Sequence, residues 1–220
     1  MKEPLVQLSN VELRNDRGDF VFRDLTFKLL PGQSAVISGP AGSGKTSLVD
    51  LLIGLRFAQA GAVEMFGELL KKRRTGAIRR VRRQIGGVGG PFGLMPLLTV
   101  AENITLPLVL GGVRRSVQRE RLFKVLTEFS LLKQASEYPH SLTRVENTLT
   151  QFARASIANQ PLLLIDEPMA GLDRGTWERV HQVLEKVALS GRSMMILTSE
   201  LPPQELPETS YYQLENGVLQ

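Results

Sequence analysis

Gly39-Pro40-Ala41-Gly42-Ser43-Gly44-Lys45-Thr46 has the composition and spacing of a phosphate-binding loop, and it lies between an apolar run over 34–38 and a helical pattern over 46–55. Glycines at 39, 42 and 44 let the backbone turn tightly, so that successive N–H groups and a helix N-terminus face negative charge. Lys45 is placed to reach the β- and γ-phosphates of a nucleoside triphosphate, and the Thr46 hydroxyl to ligate magnesium. The candidate nucleotide-binding set is therefore Gly39, Pro40, Ala41, Gly42, Ser43, Gly44, Lys45, Thr46 and the adjacent Ser47. The plain alternative is a glycine-rich turn without a ligand.

A second stretch fits the first. Leu162-Leu163-Leu164-Ile165-Asp166-Glu167 is an apolar strand pattern ending in two carboxylates. Asp166 at the strand tip can hold magnesium, directly or through water, and Glu167 is placed to polarise a water against the γ-phosphate. Alone, such an ending is as consistent with a solvated turn; behind a complete phosphate loop it marks the catalytic carboxylate, Glu167.

The remaining periodicity predicts an α/β chain. Residues 5–13 and 21–29 alternate as antiparallel strands ending at Pro31-Gly32, and 61–67 reads as another strand and turn. From 91 to about 159 the pattern is helical. Strand-like runs return at 162–165 and 194–197, and Asn216-Gly217 signals a closing hairpin. The expected organisation is one domain over 1–220, an α/β core over about 1–88 and 158–220 interrupted by a helical insertion over about 89–157.

Composition narrows the function classes. The 220 residues, 42% of them hydrophobic, suffice for a sizeable core, and the absence of cysteine excludes a disulfide scaffold and a thiol nucleophile. No apolar stretch reaches the roughly 18 to 20 residues needed to cross a bilayer, and Met1-Lys2-Glu3-Pro4 does not read as a secretory signal. The expectation is a cytoplasmic protein whose membrane work requires another chain. Within a net charge of +5, eight basic residues fall between Lys71 and Arg83. That run is open to three readings: a solvated surface, attraction to an anionic membrane face or partner, or nucleic acid. It lacks the interleaved aromatics of a single-strand binder, and nucleic acid is the least supported. His140 and His181 have no ligand cluster at metal spacing, and Trp177 and the Met194-Met195 pair read as packing residues.

With these motifs in place the chain resembles the ATP-binding subunits of ABC transporters, and among them the FtsE, LolD and MacB group concerned with cell division, lipoprotein release and macrolide export. The resemblance runs through Pro31-Gly32, Leu94-Met95-Pro96, Thr99-Val100-Ala101-Glu102-Asn103, Leu106-Pro107-Leu108, Tyr138-Pro139-His140-Ser141-Leu142, Asp166-Glu167-Pro168, Ala170-Gly171-Leu172-Asp173 and Leu214-Glu215-Asn216-Gly217. It implies the α/β ABC ATPase fold, a P-loop NTPase (RecA-like) core with an antiparallel β subdomain and an inserted α-helical subdomain, with ATP and Mg bound at the phosphate loop, and a dimer with itself or a homologous subunit with Asp173 at the seam. It further implies a separate transmembrane partner that holds the chain on the inner face of the cell membrane. In the family the partner docks between core and helical insertion, beside the loop that here runs over 86–96, so Phe92, Leu94 and Met95 are candidates for an apolar contact. The alternative is that these three pack the insertion's own core.

Four departures from the family pattern accompany these matches. The signature aligns with Leu142-Thr143-Arg144-Val145-Glu146, without either glycine. The magnesium-ligating glutamine aligns with Gly90, the γ-phosphate histidine with Ser199, and the adenine-stacking aromatic lies near Asn15, where Phe20 is a loose substitute. Losing one charge-stabilising donor typically slows turnover about 100- to 1000-fold. The resemblance thus implies either an energy-coupling ATPase subunit with weak or partner-dependent hydrolysis, or a non-hydrolysing nucleotide-binding structural subunit. An ABC-type ATPase acting on nucleic acid or ribosomes is a distant third.

Overall fold

The computed structural model describes residues 3–167, 172–202 and 204–220. Strands β1 (Val6–Arg14) and β2 (Phe20–Leu29) form an antiparallel pair, and β4 (Ala60–Met65) and β5 (Glu68–Leu69) complete a four-stranded sheet in the order β2-β1-β4-β5. Inward-facing Val6 and Leu8, then Val11 and Leu13, are buried, and the alternation changes phase between the two pairs, where Asn10 has φ 49° and the β1–β2 register shifts. Asn15 shapes the β1–β2 turn by accepting from the N–H groups of Arg17 and Asp19.

The second sheet holds β3 (Ser34–Ser38), β6 (Ile85–Gly89), β7 (Leu162–Asp166), β8 (Ser193–Thr198), β9 (Thr209–Glu215) and β10 (Val218–Leu219), ordered β10-β9-β3-β8-β7-β6. All neighbours are parallel except the β9–β10 hairpin, which closes through Asn216 and Gly217 at φ 51° and 78°. Strands β3, β7 and β8 are buried along almost their whole length, and they read as continuous apolar runs because both sheet faces are covered. The C-terminal ends of these parallel strands share one edge, where ligands bind in open α/β sheets.

Among the described residues six α-helices pack around the sheets: α1 (Lys45–Leu52), α2 (Thr75–Arg83), α3 (Val100–Leu110), α4 (Arg115–Glu128), α5 (Arg144–Ile157) and α6 (Arg174–Leu189). Helices α3 to α5 occupy the region expected to be helical. Capping boxes start two of the three: Thr99 with Glu102 on α3, and Thr143 with Glu146 on α5.

Two elements differ from the sequence reading. The glycine-rich stretch expected to open a loop over 86–96 is instead the strand β6 up to Gly89, paired with β7. Its glycines answer to tertiary crowding. A Cβ on Gly86 would lie 2.5 Å from the Ala155 carbonyl oxygen, and one on Gly87 would run into the Phe92 ring. The basic run also contains α2, whose Ala77, Ile78 and Val81 are buried. Part of that run is structural: the Arg82 guanidinium donates to the carbonyls of Ile53 and Gly54 just past α1, and Arg80 pairs with Glu68 at 2.6 Å.

Candidate functional site

The phosphate loop leaves β3 and enters α1 with Gly42 and Gly44 at φ 85° and 105°, conformations glycine adopts without strain. Space excludes side chains as well. A Cβ on Gly44 would lie 2.8 Å from the Phe22 ring, and one on Gly39 would lie 2.4 Å from the Leu214 carbonyl oxygen. The α1 N-cap, Gly44, supplies no side-chain acceptor to the first turn. The N–H groups at that end are therefore available to an anion.

Lys45 is buried, and its Nζ donates to the carbonyls of Gly39 at 2.8 Å and Pro40 at 3.1 Å. The Glu167 carboxylate stands 3.4 Å from the same ammonium. The Thr46 hydroxyl faces Asp166, donating to Oδ2 at 3.4 Å. Asp166 ends β7 and is 3% exposed, and its Oδ1 is buried with no hydrogen-bond partner among the described residues. Burial, reinforced by the neighbouring Glu167 charge, raises the Asp166 carboxyl above its usual value. A buried, unsatisfied carboxylate oxygen beside a hydroxyl is a donor set of hard oxygens that suits magnesium. Thr46 and Asp166 fit that ion.

Glu167 follows in the left-handed region at φ 55°, a rare conformation for a residue with a Cβ. That turn swings its carboxylate out of the β7 line toward the segment after β8, where Ser199 receives it: the Ser199 N–H donates to Oε2 at 2.9 Å and its hydroxyl donates to Oε1. So the residue aligned with the family's histidine touches Glu167 directly. The contact spans 32 positions in the chain, and no local pattern announces it.

Gly90 lies against the same carboxylate. It has φ 41°, and a Cβ there would stand 2.3 Å from Asp166 Oδ2, while one on Gly89 would strike the Asp166 carbonyl oxygen. The backbone of 89–90 thus covers Asp166 where the family pattern has a glutamine side chain. Gly89 N–H is held by Gln151 Oε1 at 2.8 Å, and Arg154 donates to the carbonyls of Phe92 and Gly93. Helix α5 anchors the whole segment.

Several expected residues lie apart from this cluster. Arg144 is exposed at the first turn of α5, and Val145 packs partly buried against the core formed with α3 and α6. Phe20 makes a poor adenine platform, because the Arg14 and Arg23 guanidinium carbons lie 3.5 and 4.4 Å from its ring centroid. Asp173 caps α6 through Thr176, and the neighbouring Pro168, Ala170 and Gly171 fall outside the described residues. Trp177 and His181 are buried on α6 with their rings edge to face.

Residues 22–170 match the family described as ABC transporter. The chain belongs to that family. Among its relatives, the glutamate transport ATP-binding protein GluA of Corynebacterium efficiens is 31% identical over 81% of this chain and 74% of its own length. An uncharacterized ABC transporter ATP-binding protein of Mycobacterium tuberculosis is 31% identical over 99% of this cassette and 90% of the relative. Among solved structures, the dimeric bacterial ABC transporter cassette MJ0796 superposes with a TM-score of 0.87 at 26% identity, covering 98% of this chain and 96% of that one. The cassette therefore has the α/β P-loop ABC ATPase fold. Among its described residues, no helix is long and apolar enough to cross a membrane.

Proposed function

We propose that this cassette binds MgATP at the 39–47 loop and couples nucleotide-dependent dimerisation to a separate membrane-spanning partner, hydrolysing ATP slowly unless that partner assists. The supporting observation is the convergence of Lys45, Thr46, Asp166 and Glu167 on one sheet edge, with Lys45 Nζ 3.4 Å from the Glu167 carboxylate. Loop N–H groups and Lys45 would hold the phosphates, while Thr46 and Asp166 would hold the ion. Bound magnesium would supply charge neutralisation between phosphate oxygens.

Glu167 is the group that can take a proton from an attacking water, but both of its oxygens already accept from Ser199. Those two contacts take one acceptor site on each oxygen and fix the carboxylate's orientation, so an attacking water must be oriented through the lone pairs that remain. With Arg144 and Val145 in place of the signature glycines, and no glutamine at 90, the groups that stabilise developing phosphate charge are fewer than in the family pattern. The second reading, a nucleotide clamp without turnover, rests on the same departures. Relatives named as transport ATP-binding proteins and the dimeric solved cassette support the partner and the dimer.

The discriminating experiment is phosphate release by the purified chain and by Glu167→Gln. Slow release that vanishes in the variant supports the coupled ATPase. Release at the same background rate in both, with MgATP still bound, supports the clamp.

A further inference from the structure

Strand β6 is the outermost strand of its sheet among the described residues, so one row of its N–H groups has no strand to pair with. Helix α5 covers that edge. Asn147, Gln151 and Ala155 recur at every fourth position and share one face of α5. Ala155 comes so close to β6 that a Cβ on Gly86 would lie 2.5 Å from its carbonyl oxygen, and one turn earlier Gln151 reaches Gly89.

The Gln151 amide is engaged on both sides. Its Nε2 donates to Asn147 Oδ1 at 2.8 Å, which turns Oε1 toward β6, and Oε1 accepts the Gly89 N–H at 2.8 Å. Three residues on, Arg154 donates to the Phe92 and Gly93 carbonyls, and the Phe92 N–H closes a turn onto the Gly89 carbonyl at 2.8 Å. The segment 89–93 is thus tied to α5 at both ends. Phe92 and the following Met95 line a groove of about 700 Å³ beside α3, and Leu94, expected with them, does not.

What this tie holds in place is a wall for Asp166. Gly89 pairs with Asp166 across the β6–β7 ladder, and Gly90 lies so close to the carboxylate that a Cβ there would overlap Oδ2. Both glycines have positive φ, 74° and 41°, and two consecutive glycines lose much conformational freedom when held in one turn. Oδ2 also accepts from the Thr46 hydroxyl at 3.4 Å. Resting on the MgATP reading, we infer that Gln151 is a positioning residue for the magnesium site: through the Gly89–Gly90 backbone it keeps the Asp166 carboxylate turned toward Thr46. The family pattern places a glutamine on the ion itself at 90; here a glutamine amide acts from α5, on the backbone that confines the carboxylate. The plain alternative, that Gln151 only satisfies an edge N–H, predicts lost stability with no change in metal dependence.

The test is calorimetric titration of the whole chain with ATP, once in excess magnesium chloride and once in EDTA, read as the ratio of the two affinities. Gln151→Met keeps the side chain's length and removes the acceptor. The ratio should fall about three- to tenfold, the effect of one net hydrogen bond, while affinity in EDTA changes by less than about twofold. Gln151→Glu keeps an acceptor, with the Asn147 amide able to turn and donate, and should hold the ratio at or above the wild-type value. Thr99→Ala removes the α3 cap and should lower the melting temperature with the ratio unchanged. Should Gln151→Met not fold, Gln151→Ala removes the same acceptor with a better helix former, and the same fall is required of it. An unchanged ratio in the variant without the acceptor overturns the inference, as does a fall of equal size in Gln151→Glu or in Thr99→Ala. No binding of MgATP by wild type refutes the proposed function and this inference together; binding by wild type with an unaltered ratio in Gln151→Met refutes the inference alone.

Discussion

Replacing Gly90 with glutamine, the residue the family pattern has there, should damage the site rather than restore it. Two costs can be worked out. A residue with a Cβ at φ 41° sits in the left-handed region, at roughly 1–2 kcal/mol. That Cβ would also stand 2.3 Å from Asp166 Oδ2, so Asp166 or the 89–90 backbone must shift, and β7 and the Gln151 contact restrain both. At about 2–4 °C per kcal/mol for a chain of this size, the melting temperature should fall by roughly 2–8 °C from the backbone term alone. MgATP affinity should fall with it, because the displaced carboxylate is the one facing Thr46. Thermal melts and calorimetric titration of wild type, Gly90→Ala and Gly90→Gln separate the contributions, since alanine carries the same φ and Cβ without the amide. An unchanged melting temperature together with faster magnesium-dependent turnover in Gly90→Gln would refute the reasoning.

Two further expectations follow from burial and capping. Because burial raises the Asp166 carboxyl, its protonated form is favoured by the fold; that stabilisation is complete below the ordinary value of 3.8 and is lost as pH rises through the folded-state value. Asp166→Asn should therefore melt higher than wild type at pH 7.5 without nucleotide, by a margin that shrinks toward pH 4, while binding MgATP more weakly; a lower melting point at pH 7.5 would contradict this. Thr143→Ala removes the acceptor of the Glu146 N–H and should cost about 1 kcal/mol, or roughly 2–4 °C, in thermal melts.

What the sequence made legible was local. The phosphate loop, the apolar strand ending in Asp166 and Glu167, the alternating N-terminal strands and the Asn216-Gly217 turn each carry their geometry in adjacent residues. The capping boxes Thr99-x-x-Glu102 and Thr143-x-x-Glu146 are just as local, and the reading of the sequence passed over them. The second shows that Thr143 and Glu146, aligned with two of the signature positions, organise the start of α5, and that Val145 there packs as well as obstructs. The rest required tertiary information. Four glycines over 86–90 disguise the end of a core strand, because what they accommodate is Ala155, Phe92 and Asp166 from elsewhere in the chain. Helix α2 hides among arginines, since only Ala77, Ile78 and Val81 give it an apolar face. The Ser199 contact with Glu167 and the Arg14 guanidinium over Phe20 are pairings between separate strands or loops, invisible to spacing.

The account rests on MgATP binding at the loop that ends β3, and Lys45→Ala tests it most directly. Lys45 is buried with its ammonium at the centre of the site, and hydrogen bonds to charged groups contribute about 1.5–3 kcal/mol. Calorimetric titration with MgATP should show saturable binding to wild type and a loss of at least about tenfold in affinity for Lys45→Ala, with the variant's fold verified by circular dichroism. Equal affinity in the two folded proteins would contradict the account.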